Sequence, residues 1–296
     1  MATKLKPSED GTPTKKATTK LRVKPKPLTI VRPNYNVGHL RILIYGESGA
    51  GKTYLAAQAI NIPEMSPVLF CDCDRGLLTI ASKDIDVLSI ESMDDLLNVA
   101  NYVRYHEGEY KTVVVDCLTS IYLDIIQERV SGPGRSPKED DFAPSQRDWM
   151  HATFRLRLVI AKLKTAPVNL IVTALSDEYT NEQTGIRYIR PNLSNKIATE
   201  LPKDFDVVGY LYTKIRREEV TRYLQLEPFN NIKAKNRGEY SLPHTLEIAT
   251  SDSLEEAKTM WQIYERIVKG KSLEELGIKD TEKTTGIARL KKPADE

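Results

Sequence analysis

One stretch of this chain limits what it can fold into more than any other. Residues 46–53 have the pattern G-x-x-x-x-G-K-[ST] of a phosphate-binding P-loop. Glycines let such a loop curl until several backbone N–H groups point at phosphate oxygens. In this pattern Lys52 reaches the β- and γ-phosphates, and the Thr53 hydroxyl binds Mg²⁺. The predicted nucleotide-binding residues are Gly46, Glu47, Ser48, Gly49, Ala50, Gly51, Lys52, Thr53 and Tyr54.

The segments on either side of the loop support this prediction. Residues 41–45 are mostly apolar and predict a short buried strand, and residues 54–59 predict a helix. The N-terminus of a helix adds a favourable field for an anion. The alternative is an ordinary glycine-rich turn, which the strand–loop–helix order disfavours.

Composition places the chain among soluble globular proteins. It has 296 residues, of which 40% are hydrophobic and 28% charged, and its net charge of +2 says nothing about partners. Three scattered cysteines do not make a disulfide framework, and a metal site at Cys71 and Cys73 lacks a second pair of ligands. No apolar stretch approaches the length of a membrane span. We therefore expect a cytoplasmic protein.

Changes in composition divide the chain into four parts. Residues 1–27 are rich in Lys, Thr and Pro and predict a disordered basic tail, either solubilising or a weak tether to nucleic acid. Residues 28–250 predict the folded core. Residues 251–270 predict a C-terminal amphipathic helix, and residues 271–296 a flexible polar tail.

The predicted core alternates strands and helices and then becomes rich in strands. Capping boxes at Ser92–Asp95 and Ser145–Asp148 mark the starts of two helices. The alternation predicts an α/β fold, with a mostly parallel sheet and helices on both faces. A later hairpin predicts an antiparallel extension of that sheet. The predicted strands cover residues 41–45, 67–72, 85–90, 112–116, 168–174, 186–190, 205–215 and 221–229, with a possible edge strand at 28–31.

Acidic residues follow two of these strands. The apolar run 112–115 ends in Asp116, which after a P-loop is typical of a Walker B strand whose aspartate holds Mg²⁺ opposite Thr53. The alternative is an aspartate that caps the next turn. Asp72 and Asp74 come at the end of the predicted strand 67–72, and ligands of open α/β sheets bind at that edge.

These motifs, in this order, resemble a RecA-type ATPase core over roughly residues 38–245. The stretch 204–212 resembles the phage-encoded, RecA-like nucleotide-binding proteins of the Sak type, which are single-strand annealing ATPases. The resemblance implies a RecA-like P-loop fold, ATP with Mg²⁺ as cofactors, and a homo-oligomer, ring or filament, with ATP between subunits. It also implies single-stranded DNA as a partner, DNA-stimulated hydrolysis, and location in the cytoplasm of a bacterial host.

The resemblance also suggests roles for individual residues. Asp74 lies where RecA proteins carry a catalytic glutamate, one methylene longer. Lys235 and Arg237 resemble the paired cations that reach the γ-phosphate of the neighbouring subunit; the alternative is a solvated loop. Asp116 matches the Walker B acid. The strand ending at Thr173 and Ala174 lacks the glutamine that a RecA core carries there.

RecA-like cores bind DNA through two loops, which match residues 131–143 and 177–195 here. The second contains cations with interleaved aromatic residues, a composition that suits single strands. Its candidate DNA-binding residues are Tyr179, Arg187, Tyr188 and Arg190. An exposed hairpin without DNA is the alternative for this segment.

Three functions are compatible with these residues. The first is an oligomeric, ATP-dependent DNA recombination protein. The second is a P-loop ATPase that acts on a protein partner, as a loader or assembly motor. The third is a nucleotide-gated binding module with little turnover. The aspartate at position 74, in place of a glutamate, is compatible with this function.

Overall fold

The computed structural model describes residues 38–131, 143–217, 219–237, 242–250 and 258–278, all of which belong to one compact unit. Four predicted segments lie outside these ranges: the basic tail 1–27, the edge strand 28–31, nearly all of the loop 131–143, and the polar tail beyond residue 278.

Strands and helices alternate through the first part of the chain. The strands are β1 (Arg41–Gly46), β2 (Val68–Asp72), β3 (Asp86–Ser89), β4 (Thr112–Asp116), β5 (Asn169–Thr180), β6 (Arg187–Pro191), β7 (Val207–Arg216), β8 (Glu219–Gln225), β9 (Lys235–Asn236) and β10 (Thr245–Thr250). The helices are α1 (Lys52–Ala57), α2 (Met93–Tyr105), α3 (Leu118–Ser131), α4 (Gln146–Leu163), α5 (Asn195–Glu200) and α6 (Thr259–Ile267).

The described strands form one mixed sheet. Its order is β10-β8-β7-β1-β5-β4-β2-β3, with β6 paired to β5 and β9 paired to β7. Strands β1, β2, β3, β4, β5 and β7 run parallel, whereas β6, β8, β9 and β10 are antiparallel to their neighbours. The predicted α/β class, with its antiparallel extension, is confirmed.

Helices cover both faces of the sheet. On one face, apolar residues of α2, α3 and α4 pack on inward-facing side chains of β1, β4 and β5. On the other, α1 and α6 pack on the opposite side of the same strands. The capping boxes at Ser92 and Ser145 begin α2 and α4 as predicted, each with the serine accepting from the N–H group three residues later. This layering leaves the carboxyl ends of the parallel strands free to carry a site.

The sheet itself requires the first glycine of the P-loop. Gly46 ends β1 beside Leu211 of β7. A Cβ atom at Gly46 would stand 2.2 Å from the Leu211 carbonyl oxygen, far closer than two such atoms can approach. Glycine at position 46 therefore allows β7 to pack against the P-loop strand.

Several elements differ from their predicted bounds; the second strand of the hairpin, predicted at 221–229, is Glu219–Gln225. The polar loop expected after residue 174 continues as strand β5 to Thr180, because residues 176–180 pair with β6. The pairing satisfies the backbone of a segment too polar to be recognised as a strand. The described part of the C-terminal helix begins at Thr259; its predicted first turns, residues 251–257, lie outside the described residues.

Candidate nucleotide-binding site

The P-loop joins the end of β1 to the start of α1. Gly49 and Gly51 have φ angles of 78° and 102°, which glycine adopts at little cost. Gly51 is the N-cap residue of α1, and no side chain caps this helix start. The first N–H groups of α1 are thus left for solvent or a ligand, and an anion suits them.

Lys52 is buried at the mouth of this loop. Its side chain is only 8% exposed, and Nζ donates to the carbonyl oxygens of Gly46 at 3.1 Å and Glu47 at 2.8 Å. Burial lowers the pKa of Lys52, and the negative charges of Asp116 and Asp74 oppose that change. A phosphate would stabilise this ammonium better than two neutral carbonyl groups do.

Thr53, at the start of α1, contacts Asp116, at the end of β4. Thr53 Oγ1 donates to Asp116 Oδ2 at 2.7 Å, and Thr173 Oγ1 donates to the other carboxylate oxygen. Burial raises the pKa of Asp116, while the two hydroxyl groups and Lys52 lower it. A hydroxyl and a carboxylate are the oxygen ligands that Mg²⁺ prefers, so the residues present fit this ion.

Thr173 was not predicted to take part in this site. The sequence drew attention to its strand end only because a glutamine is missing there. The structure instead uses the Thr173 hydroxyl to fix one oxygen of Asp116. Thr173 lies beside Asp116 because β5 pairs with β4. No local sequence motif predicts this pairing.

Asp74 stands on a short loop after β2. Asp72 Oδ1 accepts from the N–H groups of Asp74 and Gly76 at 3.2 and 3.3 Å, and Cys73 N–H donates to the Asp116 carbonyl at 2.6 Å. These bonds brace the loop against β4. Asp74 is exposed, yet its charge helps to raise the pKa of Asp116. The Asp74 carboxylate therefore lies at the same edge of the sheet as Thr53 and Asp116.

Lys235 and Arg237 lie far from the P-loop of their own chain. Lys235 pairs with Val208 near the start of β7, whereas Gly46 pairs with Leu211. Three residues of strand separate these positions by about 10 Å. Lys235 Nζ donates to the carbonyl oxygens of Pro202, Lys203 and Phe205, and Arg237 is exposed. Their predicted role in a neighbouring subunit stays a prediction.

The four candidate DNA-binding residues are on strands β5 and β6. Arg190 is only 8% exposed; it donates to Asn195 Oδ1 at 2.6 Å and lies 4.0 Å from the centre of the Tyr179 ring. That environment favours a structural role for Arg190. Arg187 is exposed and 3.9 Å from Glu178. Lys233 Nζ lies 4.4 Å from the centre of the Tyr188 ring.

A row of tyrosines on the neighbouring hairpin was not predicted. Tyr210, Tyr212 and Tyr223 stack on one face of β7 and β8, with ring centres 5.5 and 5.6 Å apart. Lys214 Nζ lies 5.4 Å from the Tyr212 ring centre and 5.1 Å from that of Tyr223. Tyr212 and Tyr223 are partly exposed. We call Tyr210, Tyr212, Tyr223 and Lys214 the tyrosine ladder.

Fold and site together define a P-loop ATPase domain. In its sheet β5 separates the P-loop strand from the strand that ends in Asp116. The chain belongs to the AAA domain family AAA_24, whose model matches residues 39–238. The matched range includes the P-loop, Lys52 and both acidic strand ends.

Other comparisons add little. A search of curated proteins finds no match to the chain. Among solved structures, the KaiC-like protein PH0186 from the hyperthermophilic archaeon Pyrococcus horikoshii OT3 is similar at 18% identity. The similarity covers 63% of this chain and 77% of that chain with a TM-score of 0.37, too low to support an argument. Within the described ranges, every helix is too short or too polar to span a bilayer.

Proposed function

We propose that this chain is an ATP-dependent DNA recombination protein that binds single-stranded DNA and promotes annealing or strand pairing. The P-loop and the family match support the ATPase part. The tyrosine ladder is the observation that carries the DNA part, because it joins stacked, partly exposed rings to a cation beside the nucleotide site.

The nucleotide would be ATP with Mg²⁺. The N–H groups at the start of α1 and the ammonium of Lys52 would hold the phosphates, and Thr53 with Asp116 would hold the metal ion. When bound, Mg²⁺ neutralises charge on the phosphate oxygens. Thr173 would keep Asp116 oriented toward the ion, as an outer partner of a metal ligand does.

Asp74 would orient the water that attacks the γ-phosphate. Its loop is braced to β4 by the Cys73 N–H bond, so the carboxylate is supported although it is exposed. Lys52 would stabilise charge in the transition state. In an oligomer, Arg237 of a neighbouring subunit reaches a γ-phosphate more readily than Lys235, whose ammonium would first have to leave three carbonyl groups.

Single-stranded DNA would lie across the two hairpins that extend past the P-loop. β5 continues beyond Leu175, its partner opposite Gly46, and β7 continues beyond Leu211. Rings of the ladder would stack on bases while Lys214 and Lys233 contact phosphates. Stacking contributes about 1–3 kcal/mol per base and tolerates any sequence, which suits a protein that anneals arbitrary strands.

Self-association is part of this proposal. Met150, Phe154 and Leu158 form an apolar stripe along α4 and are 55%, 61% and 46% exposed. They lie on the face opposite to the buried residues of this helix, among them Ala152, Leu156 and Val159. Exposed apolar surface arranged in a patch favours a protein contact, and a second copy of this chain would bring ATP and Arg237 together.

The DNA part is tested by replacing the outer rings of the ladder. We expect Tyr212→Ala with Tyr223→Ala to weaken binding of a labelled oligothymidylate, measured by fluorescence anisotropy, at least about 10-fold. Tyr105→Ala is the matched control, since Tyr105 is 82% exposed at the end of α2, beside the opposite edge of the sheet. Equal affinity of the double variant and the control for the oligothymidylate would show that the tyrosine ladder does not bind DNA. No binding by the unaltered protein would favour a protein partner.

A further inference from the structure

An arginine approaches the P-loop from strand β8. Arg222 pairs with Thr213, two residues past the β7 position that faces Gly46. Its Nε and Cδ atoms lie 3.5 and 3.6 Å from where a Cβ atom of Gly51 would be. The side chain therefore packs directly on the P-loop backbone at the start of α1.

Two donors of this guanidinium have no partner in the part of the chain that the structure describes. Nε and Nη1 of Arg222 are buried, and neither makes a hydrogen bond to any described residue. Buried polar groups are nearly always bonded, and a charged one left without acceptors costs free energy. An anionic ligand at the P-loop would supply the missing acceptors. The planar guanidinium holds its N–H donors in a fixed geometry that suits phosphate oxygens.

The position of Arg222 relative to Thr53 and Asp116 indicates which phosphates it would contact. β1 lies between β5 and β7. Asp116 and Thr173 come from the β5–β4 side, where the metal and the γ-phosphate would be, whereas Arg222 comes from the β7–β8 side. Arg222 thus lies on the side of the P-loop away from Asp116, where the metal ion would bind.

We propose that Arg222 is a nucleotide-binding residue that contacts, within its own chain, the phosphates common to ADP and ATP. The inference rests on the proposed nucleotide-binding function and adds a binding residue to it. Arg222 holds the α,β-diphosphate part of the nucleotide, and Lys52 with the metal ion serves the γ-phosphate. Neighbouring residues on a strand point to opposite faces, so the Arg222 side chain acts on the nucleotide while Tyr223 remains in the ladder.

The test is calorimetric titration of Arg222→Met with ADP and with a non-hydrolysable ATP analogue, both with Mg²⁺. We expect both affinities to fall about 10- to 100-fold by the same factor, since one charge-assisted contact is lost from each complex. Arg216→Met is the matched control, because Arg216 is an exposed arginine on the same hairpin; its affinities should stay within about twofold. Melting of the nucleotide-free proteins separates a binding role from a structural one. Methionine relieves two unpaired buried donors, so Arg222→Met should melt no lower than the unaltered protein.

Each alternative has its own result. Unchanged ADP and analogue affinities in a folded Arg222→Met protein would overturn the inference and leave the proposed function intact. A loss confined to the ATP analogue would also overturn it, by moving the contact to the γ-phosphate. A lowered melting temperature with unchanged nucleotide affinity would make Arg222 a packing residue. If the unaltered protein binds neither nucleotide, the proposed function itself fails.

Discussion

The two flanks of the P-loop are built differently. On the flank toward β4, both oxygens of Asp116 accept hydrogen bonds, one from Thr53 and one from Thr173. On the flank toward β8, the Nε and Nη1 atoms of Arg222 are buried without partners among the described residues. The first flank is complete within the protein, whereas the second gains its hydrogen bonds only with a ligand.

The difference separates two tasks. A prearranged carboxylate and hydroxyl need little reorganisation to accept a metal ion, and such preorganisation favours catalysis. An unpaired guanidinium favours whatever anion satisfies it and so contributes to affinity. We therefore expect changes on the Asp116 flank to affect turnover and changes on the Arg222 flank to affect nucleotide binding.

Replacing Asp116 should have the largest effect on activity. Asp116→Asn keeps the shape of the side chain but removes the charge that would hold Mg²⁺. We expect ATP hydrolysis to fall about 10²- to 10³-fold, measured as phosphate release. ADP affinity in the absence of Mg²⁺ should be unchanged, whereas Arg222→Met, titrated under the same metal-free conditions, should bind ADP more weakly. An equal loss of metal-free ADP affinity in both variants would contradict the division between the flanks.

Asp74 should affect turnover alone. Asp74→Asn removes a carboxylate at the β2 end without disturbing the bonds that Asp72 accepts from the loop backbone. We expect hydrolysis to fall about 10²-fold, as for loss of a general base, with nucleotide affinity unchanged. Asp74→Glu is the control that keeps the charge and should retain most of the activity. Full activity of Asp74→Asn would exclude the residue from catalysis.

Gly46 should have the smallest effect, and it acts through the fold. Gly46→Ala would force β7 away from β1, because its Cβ would overlap the Leu211 carbonyl oxygen. We expect the free energy of unfolding in urea to fall by about 2 kcal/mol, with weaker ADP binding as β8 and Arg222 move off the loop. Gly38→Ala is the control, since no atom lies within 4 Å of its added methyl group. Unchanged stability of Gly46→Ala would show that β7 can shift without cost.

The two flanks also differ in what the sequence could predict. Thr53 and Asp116 are at fixed places in local motifs, a P-loop and the end of a β-branched run, so both could be named before the fold was known. Arg222 lies in Glu219–Gln225, which reads as an ordinary half-exposed strand. Its contact with Gly51 depends on the register of β8 against β7 and on β7 lying beside β1.

The same distinction holds for the fold. Alternating strands and helices predicted a mostly parallel sheet, because hydrophobic patterns and capping boxes are local. Strand order and the extension of β5 to Thr180 are set by pairing between distant segments. The tyrosine ladder was missed for that reason: Tyr212 and Tyr223 become neighbours only when β7 and β8 pair.

Phosphate release from Mg-ATP by the purified chain, with and without single-stranded DNA, distinguishes an ATP-dependent DNA protein from the alternatives. Lys52→Ala serves as the inactive control in the same assay. We predict release that depends on Lys52 and rises when DNA is added. Release that DNA leaves unchanged would contradict the role in DNA recombination, and nucleotide binding without any release would contradict the ATPase mechanism.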